Sequence, residues 1–290
     1  MIQFHLCTIS FRHHLISLSE LADWARQQGF DGLELWGIHA RHLAQRPDGR
    51  AGHGAQWLAE RGLRVPMISD YLPLDGEEAA AVDLTRKACR LARHWGADKV
   101  RTFAGRTGSE QLSPREREQL ALRLRRLADC AGDAGLSLVV ETHPGTLADT
   151  VATSRALMLT ADHPALGINL DVLHVWEAGD DPIAAMNTLH PWIRHCHFKN
   201  IDRRSQLGVF APNNVYSPAG NREGMVPVLD GACDYHPVLD QLRHWQGNRP
   251  MDVSLEWFGG NCHRILASDL ARIRQRLTHP ALTQPAVACQ

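Results

Sequence analysis

Short apolar runs alternate with helix-patterned segments along almost the whole chain, and this alternation constrains the fold more than any other feature. IQFHLCTIS, DGLELWG, RVPMISDYL, DKVRTFAG, LSLVVETHPG, ALGINLDVLH, IRHCHFKN and MDVSLEWF read as strands. Amphipathic segments lie between them. LSELADWARQQG has Ser17 or Ser19 as its N-cap and Gly29 as its stop, and SPREREQLALRLRRLADCAGDAG has Ser113 as its N-cap and Pro114 at its first position. Strands alternating with helices make βαβ units and a parallel sheet. Eight units in 290 residues point to an α/β protein of the (β/α)8 TIM-barrel class, untidy only around residues 38–55. An open dinucleotide-binding sheet would need G-x-G-x-x-G after the first strand, and SFRHHLIS has no glycine. The expected organisation is one barrel domain over residues 1–278 and a C-terminal tail over 279–290.

Composition narrows the function. With 31 basic and 32 acidic side chains the net charge is −1, which speaks against nucleic acid as a partner, because that needs a basic face. No apolar run approaches the roughly 18 residues that cross a bilayer, and the N-terminus lacks a signal-peptide pattern, so no membrane partner is expected. The seven cysteines are scattered without a CxxC pair, which fits buried thiols in a cytoplasmic protein.

In such barrels the active site lies at the C-terminal ends of the strands. The fifth strand stops at Glu141, the sixth at Asp171 and the eighth at Glu256, and the seventh carries His197. Three carboxylates and one imidazole suit Mn²⁺, Mg²⁺ or Co²⁺ better than a structural zinc. Without a cation the three carboxylates would repel one another. Alternation puts His195, His197 and Lys199 on one face, with Lys199 just above His197. His143 and His174 follow the presumed ligands and can move protons near neutral pH. His13 lies in the loop after the first strand, Tyr71 ends the third, and Arg101 sits in an apolar fourth strand. Arg101 needs a partner there, either an anionic substrate or a carboxylate such as Glu141. The long polar stretch PNNVYSPAGNREGMVPVLDG, with Asn214, Tyr216, Asn221 and Arg222, is expected to bind or cover a ligand. Trp24, Trp95 and Trp245 read as packing residues, and the arginines of REREQLALRLRRL as a solvated face with i,i+4 pairs.

CTISFRHHLIS, GFDGLELWGIHA, VRTFAG, ETHPGTLADT, INLDVLHVWEAG, HFKNI, PNNVYSPAGNREGMVP and SLEWFG together resemble the metal-dependent 3-dehydroshikimate dehydratases of the type serving petrobactin-like siderophores. These belong to the xylose isomerase-like, sugar phosphate isomerase/epimerase barrels. ExHPG and NLDxxH are shared across that superfamily, whereas RTFAG, the PNNVY loop and SLEWFG are more specific. The resemblance runs from about residue 5 to about residue 270 and implies conversion of 3-dehydroshikimate to protocatechuate and water. It puts the metal on Glu141, Asp171, His197 and Glu256, with Mn²⁺ favoured and Mg²⁺ or Co²⁺ open. The chemistry needs a base, a Lewis acid and a proton donor. His143 is the expected base, and His174 or Lys199 the acid or enolate partner. His13, Tyr71, Arg101 and Tyr216 are expected to hold the substrate's carboxylate and hydroxyls. Pairing of two copies as a homodimer stays open. The alternatives are a keto-sugar isomerase or epimerase on the same barrel and a catalytically silent ligand-binding barrel. A DNA-repair endonuclease of the same superfamily would need a trinuclear zinc cluster with more ligands and a basic face, and the charge of −1 speaks against it.

Overall fold

The structure, a computed structural model, describes residues 1–45, 53–245 and 250–279. Eight parallel strands close into a barrel. They are β1 (Ile2–Cys7), β2 (Gly32–Trp36), β3 (Met67–Ser69), β4 (Lys99–Thr102), β5 (Ser137–Glu141), β6 (Leu166–Asp171), β7 (Ile193–Phe198) and β8 (Met251–Leu255). The last strand closes on the first, from Ile2 opposite Met251 to Leu6 opposite Leu255. This is the architecture that the alternation predicts. The untidy stretch contains helices Gly37–Ala44 and Ala55–Ala59, with 46–52 outside the described residues. The expected tail also lies outside them, except for His279.

Local chemistry explains the helix limits. Ser17 accepts from the Glu20 amide and Glu20 accepts from the Ser17 amide, and Ser113 and Glu116 repeat this reciprocal cap with Pro114 at the first position. Gly29 ends its helix at φ 90° and Gly96 at φ 68°, the left-handed conformation that a side chain disfavours. The helix-114–133 arginines depart from expectation. Arg117 donates to the Ser109 and Leu112 carbonyls, Arg123 to those of Leu74 and Gly76, and Arg125 to that of Ala161, while Arg126 pairs with Glu78. Long guanidinium arms reach unsatisfied loop carbonyls here instead of pairing along their own helix.

The lower barrel interior is charged and paired. Asp252 of β8 accepts from Lys99 Nζ at 2.8 Å, from His5 Nε2 at 2.8 Å and from Arg64. Burial would raise its carboxyl, but these partners hold it far below the usual range. No helix among the described residues is long and apolar enough to cross a membrane. The thiols of Cys7, Cys89, Cys233 and Cys262 are free and buried.

One buried carboxyl gives a stability prediction. Asp269, in helix Cys262–Thr278, is 2% exposed and accepts from the Val228 amide at 3.0 Å. Burial pushes it up to about 7, and Asp230 adds to this while the Val228 amide and Arg272 oppose it. The folded state therefore holds a proton that the unfolded chain releases near pH 4, so stability falls as pH rises from about 4 to 7 and then levels. Asp269→Asn is expected to remove that fall. Its thermal midpoint relative to wild type should be higher at pH 8 than at pH 4, and parallel curves would contradict the assignment.

Candidate metal centre and active site

Strands β5, β6 and β7 and the residue after β8 bring Glu141, Asp171, His197 and Glu256 to one point at the barrel mouth, all buried. His197 Nδ1 lies 3.7 Å from Glu141 Oε2, 4.0 Å from Asp171 Oδ2 and 3.5 Å from Glu256 Oε1. That nitrogen is buried without a hydrogen-bond partner. On the other side of the ring, Nε2 sits 3.1 and 3.0 Å from the two carboxylate oxygens of Glu34, in the middle of β2. A carboxylate only accepts, so Nε2 carries a proton, and in the neutral ring that a metal would bind the Nδ1 lone pair faces the other three carboxylates. An imidazole lone pair and three carboxylates around one point form a donor set for a divalent cation.

The charge balance agrees. With His197 neutral, as a metal ligand is, Glu34, Glu141, Asp171 and Glu256 are opposed by Arg101 and Lys199, which leaves two negative charges in a buried site. Arg101 Nε lies 3.0 Å from Glu141 Oε2, so the partner that Arg101 needs is Glu141. Lys199 Nζ donates to Asp171 Oδ2 at 2.5 Å and Glu256 Oε2 at 2.8 Å. Burial alone would lower the Lys199 ammonium, but Asp171, Glu256 and Glu141 keep it protonated well above its usual range. Asp171 also caps the helix Val172–Glu177, accepting from the His174 amide at 3.1 Å through Oδ1. That bond orients Oδ2 into the site.

His143 and His174 stand over these groups, with ring centroids 4.6 Å apart. His143 Nδ1 is 2.7 Å from the Pro144 carbonyl, which can only accept, so the proton is on Nδ1 and Nε2 is a free base. Burial and then the neighbouring His174 lower its conjugate acid to about 4, so it is neutral at pH 7. His174 Nδ1 is 2.7 Å from Glu177 Oε2, and its Nε2 lies 3.9 Å from Asp171 Oδ2.

A small chamber of about 40 Å³ reaches two of the candidate ligands, Glu141 and Glu256, and is lined also by Arg101, His143, His174, Lys199, Tyr71 and Tyr216 among others. Outside it opens a wider cavity of about 850 Å³ that shares Tyr71, Phe103, His143, Pro212 and Tyr216. The chemistry belongs to the small chamber, because only it touches the carboxylates and Lys199; the wider space is its entrance. The Arg101 guanidinium carbon stands 5.0 Å from the Tyr71 ring centre and 4.8 Å from that of Phe103. The Tyr216 hydroxyl donates to that of Tyr71 at 2.6 Å, and its ring stacks on Trp36 at 5.9 Å. His13 lies exposed on the entrance and does not line the chamber. Asn214, Asn221 and Arg222 tie the long loop to itself: Asn214 donates to the Asn221 carbonyl, and Arg222 to those of Asn214 and Ser217. They shape the loop that holds Tyr216.

The sequence reading gave Glu34 no role, although it is as deeply buried as any of the four. Its signal was a charged residue inside the apolar strand GLELWG, the cue that drew attention to Arg101. Phe103, Phe210 and Phe258, which wall the chamber, were also unmarked, since single aromatic residues outside the strands and long helices carry no periodicity.

A family profile described as xylose isomerase-like TIM barrel matches residues 22–277. The chain belongs to the xylose isomerase-like TIM barrel family. Within this family it is similar to a 3-dehydroshikimate dehydratase of Bacillus anthracis, with 40% identity over 276 residues, covering 94% of this chain and 97% of that protein. A crystal structure of a probable 3-DHS dehydratase involved in petrobactin synthesis, also from Bacillus anthracis, superposes with a TM-score of 0.86 at 38% identity, covering 96% of this chain and 99% of the other. An inosose dehydratase of Lacticaseibacillus casei is 32% identical over 129 residues, 44% of this chain and 43% of that protein. An L-ribulose 3-epimerase structure matches with a TM-score of 0.70 at 19% identity, covering 96% and 95% of the two chains, a likeness of fold.

Proposed function

We propose that this chain is a metal-dependent 3-dehydroshikimate dehydratase that forms protocatechuate and water. The similarity to the Bacillus anthracis dehydratase over nearly the full length of both chains carries the reading. That relative's involvement in petrobactin synthesis supports a siderophore destination for the catechol. Glu141, Asp171, His197 and Glu256 would hold the metal, with Mn²⁺ favoured by the mostly oxygen donor set. When bound, such a cation supplies Lewis-acid stabilisation of negative charge developing on a carbonyl oxygen.

The substrate ring carries a ketone conjugated to a C1=C2 double bond, which acidifies the hydrogens on C6. His143 Nε2 takes one of them, while Pro144 holds the other ring nitrogen. The Lys199 ammonium, fixed by Asp171 and Glu256, adds a positive charge beside the developing enolate. His174, with Glu177 behind it, and Lys199 are the groups placed to protonate the departing C5 hydroxyl. Loss of water and transfer of the C4 hydrogen then give the aromatic diol. Arg101, Tyr71 and Tyr216 form the polar wall for the substrate's carboxylate and hydroxyls, and His13 stands on its approach.

One observation favours this chemistry over a keto-sugar isomerase, which would use a carboxylate as its base. Every buried carboxylate here is already engaged: Glu34 by His197, Glu141 by Arg101, and Asp171 and Glu256 by Lys199. The basic atoms left free at the chamber are imidazole nitrogens, and His143 Nε2 is the one we assign as the base. Incubation with 3-dehydroshikimate or with keto sugars, each with Mn²⁺, tests the reading. Protocatechuate from the first is expected, and turnover of the sugars instead would establish the isomerase.

A further inference from the structure

We infer that Glu34 is the positioning residue that turns His197 toward the metal, holding its Nε2–H so that Nδ1 is the ligating nitrogen. The inference rests on the metal reading above and extends it to a residue outside the ligand set. Glu34 reaches into the barrel from β2, and His197 comes from β7. Both carboxylate oxygens lie within 3.1 Å of Nε2. Glu34 and His197 are each 0% exposed, so no water competes for the contact.

The carboxylate is itself held from two further strands and from a second residue of β7. The Ser69 hydroxyl of β3 donates to Oε1, Cys7 Sγ of β1 approaches Oε1 at 3.4 Å, and His195 Nε2 of β7 lies 3.4 Å from Oε2. His195 is in turn held by the Ser254 hydroxyl at 2.7 Å. Such a set leaves the carboxylate little freedom to rotate, and through it the imidazole.

A purely structural role needs no charge. A buried imidazole N–H is satisfied by a neutral acceptor such as a carbonyl or hydroxyl, and burying an ionised carboxylate is costly. The charge has a use if the imidazole is a ligand. A carboxylate behind a ligating histidine fixes its tautomer and raises its basicity, and losing such a partner weakens metal binding about 10–100-fold. Glu34 also brings the local excess to the two negative charges that a divalent cation neutralises. Its oxygens stand on the Nε2 side of the ring, opposite the three candidate ligand carboxylates, so it supports the ligand set from behind.

The test is Co²⁺ titration of the metal-stripped, full-length protein, followed by visible absorption, with thermal midpoints of the metal-free forms. Wild type is expected to bind one Co²⁺. Glu34→Gln should bind it about 10–100-fold more weakly, with the same absorption band at saturation. Ser69→Ala, which loosens Glu34 without touching a ligand, should shift affinity the same way by a smaller factor. Unchanged Co²⁺ affinity in folded Glu34→Gln would overturn the inference, whatever its thermal midpoint. If Glu34→Gln does not fold, unchanged affinity in Ser69→Ala overturns it. Two ions in wild type and one in Glu34→Gln would make Glu34 a ligand and also overturn it. Wild type that binds no Co²⁺ would instead defeat the metal reading itself.

Discussion

His143→Asn is expected to lower kcat about 10²–10⁴-fold, the usual contribution of a general base, while metal content and thermal midpoint stay near wild type. The reason is local. The imidazole lines the chamber, and its Nδ1 is anchored to the Pro144 carbonyl. It makes no contact with the ligand carboxylates at hydrogen-bond range, so its loss leaves the metal set intact. Burial and His174 lower its conjugate acid to about 4, so the base form is present throughout the neutral range. Asparagine keeps a polar group of similar reach and cannot take the proton. Metal content by elemental analysis and kcat from product formation check this together. Full turnover with metal still bound would remove His143 from the mechanism and shift attention to His174.

Glu256→Gln is expected to act differently, through the metal. Glu256 Oε1 lies 3.5 Å from His197 Nδ1, and its Oε2 accepts from Lys199 at 2.8 Å. The amide gives up one negative charge in a site that has two to spare, so the cation is bound more weakly and Lys199 loses one of its charged partners. Lewis-acid stabilisation is worth several kcal/mol, so the variant purified without added metal should lose on the order of 10³–10⁴-fold in kcat. Excess metal should recover part of that loss, unlike in His143→Asn. Wild-type metal content in Glu256→Gln would place the cation elsewhere.

The barrel was legible because its signal repeats. Eight apolar runs separated by capped helices admit few arrangements, and Ser17, Ser113, Gly29 and Gly96 act as their types predict. The four candidate ligands were legible because the strand-end rule picks out single positions, and the structure brings those four together. Lys199 followed from two-residue alternation. Contacts between strands distant in sequence were not legible. Glu34 of β2 and His197 of β7 meet only once the barrel closes, and no local pattern pairs them. The arginines of helix 114–133 show the reverse error, where a familiar local pattern was overridden by loop carbonyls that only the fold brings near. The long loop carried too many polar residues for sequence to say which serve the site. Tyr216 faces the chamber, while Asn214, Asn221 and Arg222 are spent on the loop's own turns.

The most direct test is to mix chelator-stripped protein with 3-dehydroshikimate, then add Mn²⁺, and follow product by absorbance and chromatography. The account predicts no appreciable protocatechuate before the metal and steady formation after it, saturating near one equivalent per chain. Metal-loaded protein that makes no protocatechuate, or stripped protein that makes it equally fast, would contradict it.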